Sequence, residues 1–154
     1  MPHDLKVVLV EPKIHVNTGS IGRLCLATGS TLHLVEPLGF QIDSAKVKRA
    51  GLDYWKYVDV VIHKSWENFV ADLPEDAPRI FLSTKVKPVV FDHKFKKGSY
   101  LIFGSETEGL PKNLLQDNAD LSYQLPQYDD RVRSLNLANA ASVVVYEAIR
   151  QLGF

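Results

Sequence analysis

Apolar positions along the chain come in short runs separated by stretches with helical spacing. Leu5 to Val10 (LKVVLV) is a β-branched run closed by Pro12, the pattern of a strand buried on both faces of a parallel sheet. Ile21, Leu24, Cys25 and Thr28 recur at helical spacing, with Asn17 and Thr18 as caps and Gly29 as a stop, which predicts a helix over Thr18 to Thr28. Thr31 to Val35 (TLHLV) reads as a second strand closed by Pro37 and Gly39, and Ser44 to Ala50 as a basic helical turn ended by Gly51. Val58 to His63 and Arg79 to Ser83 are further strands, with Trp66, Phe69, Val70 and Leu73 supplying a helix between them. Ser99 to Gly104 (SYLIFG) is a late strand, followed by a turn over Glu106 to Pro111, a short helix near Asn113 to Gln116, and a strand over Leu121 to Leu125. Leu137, Ala141, Val144, Val145, Ala148, Ile149 and Leu152 share one face of a last helix, which Ser134 can cap and Gly153 ends. Strands alternating with helices predict an α/β fold with a mainly parallel sheet flanked by helices. No repeat, low-complexity tract or linker interrupts the pattern, so one domain over residues 1–154 is expected.

Composition narrows the class. A chain of 154 residues can bury roughly two thirds of the surface its unfolded form exposes, enough for one ordinary core. Hydrophobic residues make up 45% and charged residues 23%, with no apolar run near the roughly 20 residues a membrane-spanning helix needs. The polar start Met1 to Lys6 lacks the regions of a signal peptide, so a cytoplasmic protein is expected. Cys25 stands alone within an apolar helical pattern and reads as a buried, inert thiol. The 18 basic and 18 acidic residues balance, so any contact with nucleic acid must come from a local patch. The five histidines have no ligand spacing and the single cysteine excludes a Cys-rich zinc site, so no metal is expected. Gly104 to Glu108 lacks the G-x-S-x-G frame of a serine nucleophile.

Four segments carry candidate chemistry. Asn17 to Arg23 (NTGSIGR) opens a helix directly after a strand, where free N–H groups favour anions and Arg23 can hold a phosphate or polarise a hydroxyl. The dinucleotide and P-loop spacings are both absent there, and composition alone leaves open a solvated Arg23 and a merely capping Asn17. Phe103 to Pro111 (FGSETEGLP) is a strand end with two glycines bracketing acidic residues, suited to close approach of a ligand to backbone or to an ordinary turn. Arg131, Arg133, Ser134, Asn136 and Asn139 put cations and polar side chains at the start of an apolar helix, facing either a site or the helix's own caps. Lys46, Lys48 and Arg49, followed by Tyr54 and Trp55, suit phosphate neutralisation plus base stacking, or equally a solvated face with core aromatics.

In this order the segments resemble the SPOUT superfamily of RNA methyltransferases, and within it the small YibK-like (TrmL) tRNA wobble-nucleotide 2′-O-methyltransferases. The likeness runs from Val7–Pro12 through Asn17–Arg23, Arg49–Tyr54 and Phe103–Pro111 to Ser134–Gly153. It implies a C-terminal trefoil knot, a homodimer, S-adenosylmethionine as cofactor and the anticodon loop of tRNA, at nucleotide 34, as substrate. The donor pocket it implies comprises Leu82, Gly104, Glu106, Gly109, Leu110, Leu125, Ser134, Leu135 and Asn136. Arg23 matches the catalytic arginine, and Asn17, Arg133 and Tyr146 match positions tied to substrate and active-site assembly. Lys46, Lys48, Arg49 and Arg131 are the expected RNA contacts. Gln127 replaces a usual methionine, the loop Gln127 to Arg133 is one residue longer than in some relatives, and Glu108 stands at an often basic position. A SPOUT enzyme acting on another tRNA or ribosomal RNA ribose, and a non-catalytic RNA-binding protein of the same fold, are the competing readings.

Overall fold

The computed structural model describes residues 1–42, 45–50 and 52–154. Ser44 and Gly51, the expected bounds of the basic turn, lie outside the described residues. Six strands form one parallel sheet: β1 (Lys6–Val10), β2 (Thr31–Val35), β3 (Val60–His63), β4 (Arg79–Leu82), β5 (Tyr100–Phe103) and β6 (Ser122–Tyr123), in the order β3-β2-β1-β5-β4-β6. The order reverses between β1 and β5, so loops leaving their carboxyl ends diverge and open a crevice, the usual ligand position in such sheets. The last strand is shorter than the apolar run Leu121 to Leu125 indicates. Its residues Ser122 and Tyr123 pair with Phe81 and Leu82 of β4, Gln124 bridges to Val89 beyond that strand, and the chain continues as loop from Leu125.

Helices cover both faces. The helices α1 (His15–Thr28) and α5 (Leu137–Leu152) pack on one side, where Ile21, Cys25, Val144, Val145 and Ala148 join Val7, Leu9, Leu32, Leu34 and Leu101. On the other side Phe69 of α3 (Trp66–Asp72) and Leu114 of α4 (Lys112–Asp117) close over Val8, Val10, Phe81 and Ile102. The strands therefore need apolar residues on both faces, which explains their continuous rather than alternating hydrophobicity. Each fully buried side chain of this kind contributes about 1.5–3 kcal/mol. A short basic helix α2 (Ala45–Ala50) and a 3-10 turn over Leu52–Tyr57 lie against α1.

Two helix starts differ from expectation. Helix α1 begins at His15, and its N-cap is Ile14, which offers no side-chain bond; Asn17 is buried inside the first turn instead of capping it. The free N–H groups of Lys13 and Ile14 donate to the two carboxylate oxygens of Glu106 at 2.9 and 3.1 Å, so the cap arrives from a distant loop. Helix α5 begins at Leu137, and Asn136 rather than Ser134 caps it, accepting from the Asn139 N–H at 3.2 Å. The expected stop at Gly29 holds: its φ of 70° is left-handed, and the Ser30 N–H bonds back to the Cys25 carbonyl at 2.8 Å.

Candidate donor-binding cleft

Three segments at the carboxyl edge of the sheet enclose a cleft of about 630 Å³: residues 82–85 after β4, 103–110 after β5, and 125–135 after β6, with Leu137 and Ala140 of α5 behind them. The middle segment is a tight backbone loop. Ser105 and Gly109 exchange N–H to carbonyl bonds at 3.2 and 3.0 Å, and the Glu108 N–H donates to Ser105 Oγ. Gly109 has a φ of 68°, and a Cβ on Gly104 would stand 2.0 Å from the Gly109 carbonyl carbon and 2.1 Å from the Leu110 nitrogen. Only glycine at 104 lets the loop fold back on its own strand. Leu82, Phe103, Leu110, Leu125, Leu135 and Leu137 make much of the wall apolar, while Lys85, Glu106, Glu108 and Arg133 supply charge at the same cleft. Such a mixture of apolar wall, backbone and a few charges suits a small ligand with an apolar part and a charged end.

Of the nine expected donor-pocket residues, Leu82, Gly104, Glu106, Gly109, Leu110, Leu125, Ser134 and Leu135 line this cleft. Asn136 does not line it. Its side-chain amide donates to Asn17 Oδ1 at 3.0 Å while its own oxygen caps α5, so the pair ties together the first turns of α1 and α5. Glu106 both lines the cleft and holds the start of α1. Arg133 lines the cleft as well, with Nη2 at 3.5 Å from the Thr107 carbonyl oxygen. Arg23 and Tyr146 are exposed on α1 and α5 and do not line the cleft. The Arg23 guanidinium lies over the Tyr54 ring, 5.4 Å from its centroid, a cation–π contact. Beneath it, Gly22 admits Trp55, whose ring would meet a Cβ there at 2.6 Å.

Among the expected RNA contacts, Lys46 and Arg49 are exposed on α2, and the Lys48 side chain lies outside the described residues. Arg131 is exposed but engaged: its Nε donates to Asp129 at 2.9 Å, and this pairing holds the Asp129 carboxyl below its ordinary range. Its charge is thus matched within its own loop. Ser83, Thr84, Lys85, Leu137 and Ala140 line the cleft without having been anticipated. Position alone could have found the first three, because they follow the carboxyl end of a parallel strand. Among the described residues no helix is long and apolar enough to cross a membrane, and no three His, Cys, Asp or Glu side chains gather as a metal ion requires. The Cys25 thiol is buried, and burial pushes its pKa up to about 12.

A parallel α/β sheet with a glycine-seated backbone cleft at its carboxyl edge is the architecture of a small-ligand-binding enzyme. The chain belongs to the SpoU rRNA Methylase family, whose model matches residues 4–146. The tRNA (cytidine(34)-2′-O)-methyltransferase of Burkholderia cenocepacia (strain HI2424) is 48% identical over 150 residues, covering 96% of each chain. A protein of the same name from Escherichia coli (strain K12) is 45% identical over 152 residues, 97% of this chain and 95% of its own. A solved structure described as giving insights into the 2-OH methylation of C/U34 on tRNA superposes with a TM-score of 0.92 at 43% identity, covering 99% of this chain and 98% of that one. The SpoU methyltransferase AviRb from Streptomyces viridochromogenes, solved in complex with AdoMet, matches with a TM-score of 0.82 at 27% identity, covering 97% of this chain and 61% of that one.

Proposed function

We propose that this protein transfers the methyl group of S-adenosylmethionine to the ribose 2′-hydroxyl of nucleotide 34, a cytidine or modified uridine, in the anticodon loop of tRNA. The observation that carries the reading is the cleft itself: eight residues implied by the SPOUT resemblance converge on one glycine-seated pocket. Near-full-length identity to proteins named for cytidine 34 methylation supports the choice of substrate. We assign the reaction to the cytoplasm, a reading that a tRNA substrate supports.

The donor brings an electrophilic sulfonium methyl, so the chain's task is alignment and charge stabilisation. Gly104, Gly109 and Leu110 present backbone to the donor, and the leucines exclude water around its apolar part. Arg133 and Glu106 offer charges of both signs for a zwitterionic end. Arg23 donates hydrogen bonds to the ribose oxygen and stabilises the negative charge that develops there. An arginine side chain offers only donors, so it cannot take up the hydroxyl proton, which leaves to water or a phosphate oxygen. Asn17 and Tyr146 assist assembly of the acceptor side, and Lys46, Lys48, Arg49 and Arg131 meet RNA phosphates.

The C-terminal trefoil knot is part of the proposal, supported by the way residues 125–135 join the segments after β4 and β5 in one wall. So is a homodimer. Val16 on α1 and Val143 and Tyr146 on α5 are exposed apolar side chains on two helices that pack together, and Arg23, outside the cleft of its own chain, is then available to a partner's cleft. Transfer of tritiated methyl to bulk tRNA from a strain lacking this protein, followed by nuclease mapping, tests the reading. Label at the 2′-oxygen of nucleotide 34 supports it; label elsewhere, or none, overturns it.

A further inference from the structure

A second hollow, of about 270 Å³, adjoins the donor cleft, lined by Glu11, Lys13, Lys85, Glu108 and Lys112 together with Val10 and backbone of the loop after β5. Lys85, Ser105, Glu108, Gly109 and Leu110 border both cavities, so the hollow shares a wall with the cleft. Three lysines on so small a concavity stand out in a chain whose charges otherwise balance. Among the described residues neither Lys85 nor Lys112 forms an ion pair.

Lys13 does have a partner, and that partner marks what the hollow binds. Its ammonium holds the Glu108 carboxylate at 2.6 Å, and this bond lowers the Glu108 pKa. The Glu108 side chain is 74% exposed, so the anion on Lys13 is tethered by little else. The lysine, in contrast, rises from fixed backbone: its N–H is held by Glu106, the Pro12 carbonyl accepts from the Gly39 N–H at 2.9 Å, and Gly39 packs so closely that a Cβ would meet Lys13 Cα at 2.7 Å. An ammonium rising from fixed backbone and facing a loosely held internal anion is placed for exchange with an external one.

We infer that Lys13, Lys85 and Lys112 form a phosphate subsite for the substrate RNA backbone, beside the donor cleft, in which Glu108 occupies Lys13 until a phosphate displaces it. The inference rests on the RNA substrate proposed above. An incoming phosphodiester gains three cations and meets the repulsion of Glu108 and Glu11, so the subsite favours a strand held elsewhere over any stray polyanion. That selectivity suits a protein without net positive charge.

Titrating tRNA into the full-length protein at stepped salt concentrations, with methyl transfer measured on the same preparations, tests the subsite. Lys13→Ala and Lys112→Ala each weaken tRNA binding and make the slope of log affinity against log salt shallower by about 0.7. Both keep wild-type affinity for S-adenosylmethionine, which also reports that they fold. Glu108→Gln acts in the opposite sense, tightening tRNA binding and steepening the slope, because it frees Lys13. A wild-type protein that methylates tRNA, together with lysine variants of unaltered slope or a Glu108→Gln variant of weaker affinity, overturns the subsite and leaves the proposed reaction standing. A wild-type protein that transfers no methyl overturns both.

Discussion

Arg23 shows how a single side chain is prepared for work by its neighbours. It stands exposed on α1 with its guanidinium over Tyr54, a contact worth about 0.5–1 kcal/mol at such a site, enough to favour one orientation without locking it. Arg23→Ala should lower turnover by at least a hundredfold while leaving donor affinity within about twofold of wild type, because it acts on developing charge and not on the cleft wall. Unchanged turnover removes Arg23 from the mechanism. A different residue-scale device lies at the β2–β3 edge, where His33 Nδ1 and His63 Nε2 share a hydrogen bond at 2.9 Å and the rings stack. Burial, then the neighbouring His63 and Lys6, depress the His33 pKa to about 4, while Asp59 opposes the shift; burial lowers His63 as well, against the pull of Asp72. Phe69 and Tyr100 pack edge-on against the His33 ring. The unfolded state binds the proton more readily, so this stability is fully present above about pH 6.5 and is lost as the pH falls toward about 4. For a partly buried ring the loss amounts to about 2 kcal/mol. Urea unfolding at pH 7 and pH 4.5 should show it, with a smaller difference in His33→Phe; equal differences in the two proteins would contradict the assignment to His33.

At the scale of elements, the 104–110 loop governs both the cleft and the helix beside it. Gly104→Ala forces a Cβ into the Gly109–Leu110 peptide, so the loop must open. The variant should lose donor binding by more than tenfold and release the Glu106 cap on α1, lowering stability by about 1–2 kcal/mol. Wild-type donor affinity in Gly104→Ala would show that the loop is not the donor seat. The same loop explains why some element boundaries were legible in the sequence and others were not. Strand positions such as Leu5 to Val10 follow from local apolar runs, and the αL stop at Gly29 from one residue's conformational freedom. The start of α1 could not be placed that way, because its capping carboxylate lies 92 residues from Ile14 in sequence. Asn17, a good cap by composition, is recruited by Asn136 of another helix start, and Asn136 displaces Ser134 as the cap of α5.

For the whole molecule, the reversal of strand order between β1 and β5 brings three segments distant in sequence to one edge of the sheet. Alternation of elements was enough to anticipate a parallel α/β sheet, since both faces of every central strand must be apolar. Strand order was not legible, for no local pattern states which strands are neighbours. The candidate pocket residues came from resemblance and their convergence from the fold, while Leu137 and Ala140, which the resemblance did not assign to the pocket, joined them only in three dimensions. The central claim is that these converging loops clasp a methyl donor. Isothermal calorimetry of S-adenosylmethionine against the purified, folded protein tests it most directly: saturable uptake at the cleft, lost in Gly104→Ala, is the result expected, and no uptake with or without tRNA present is the result that would contradict it.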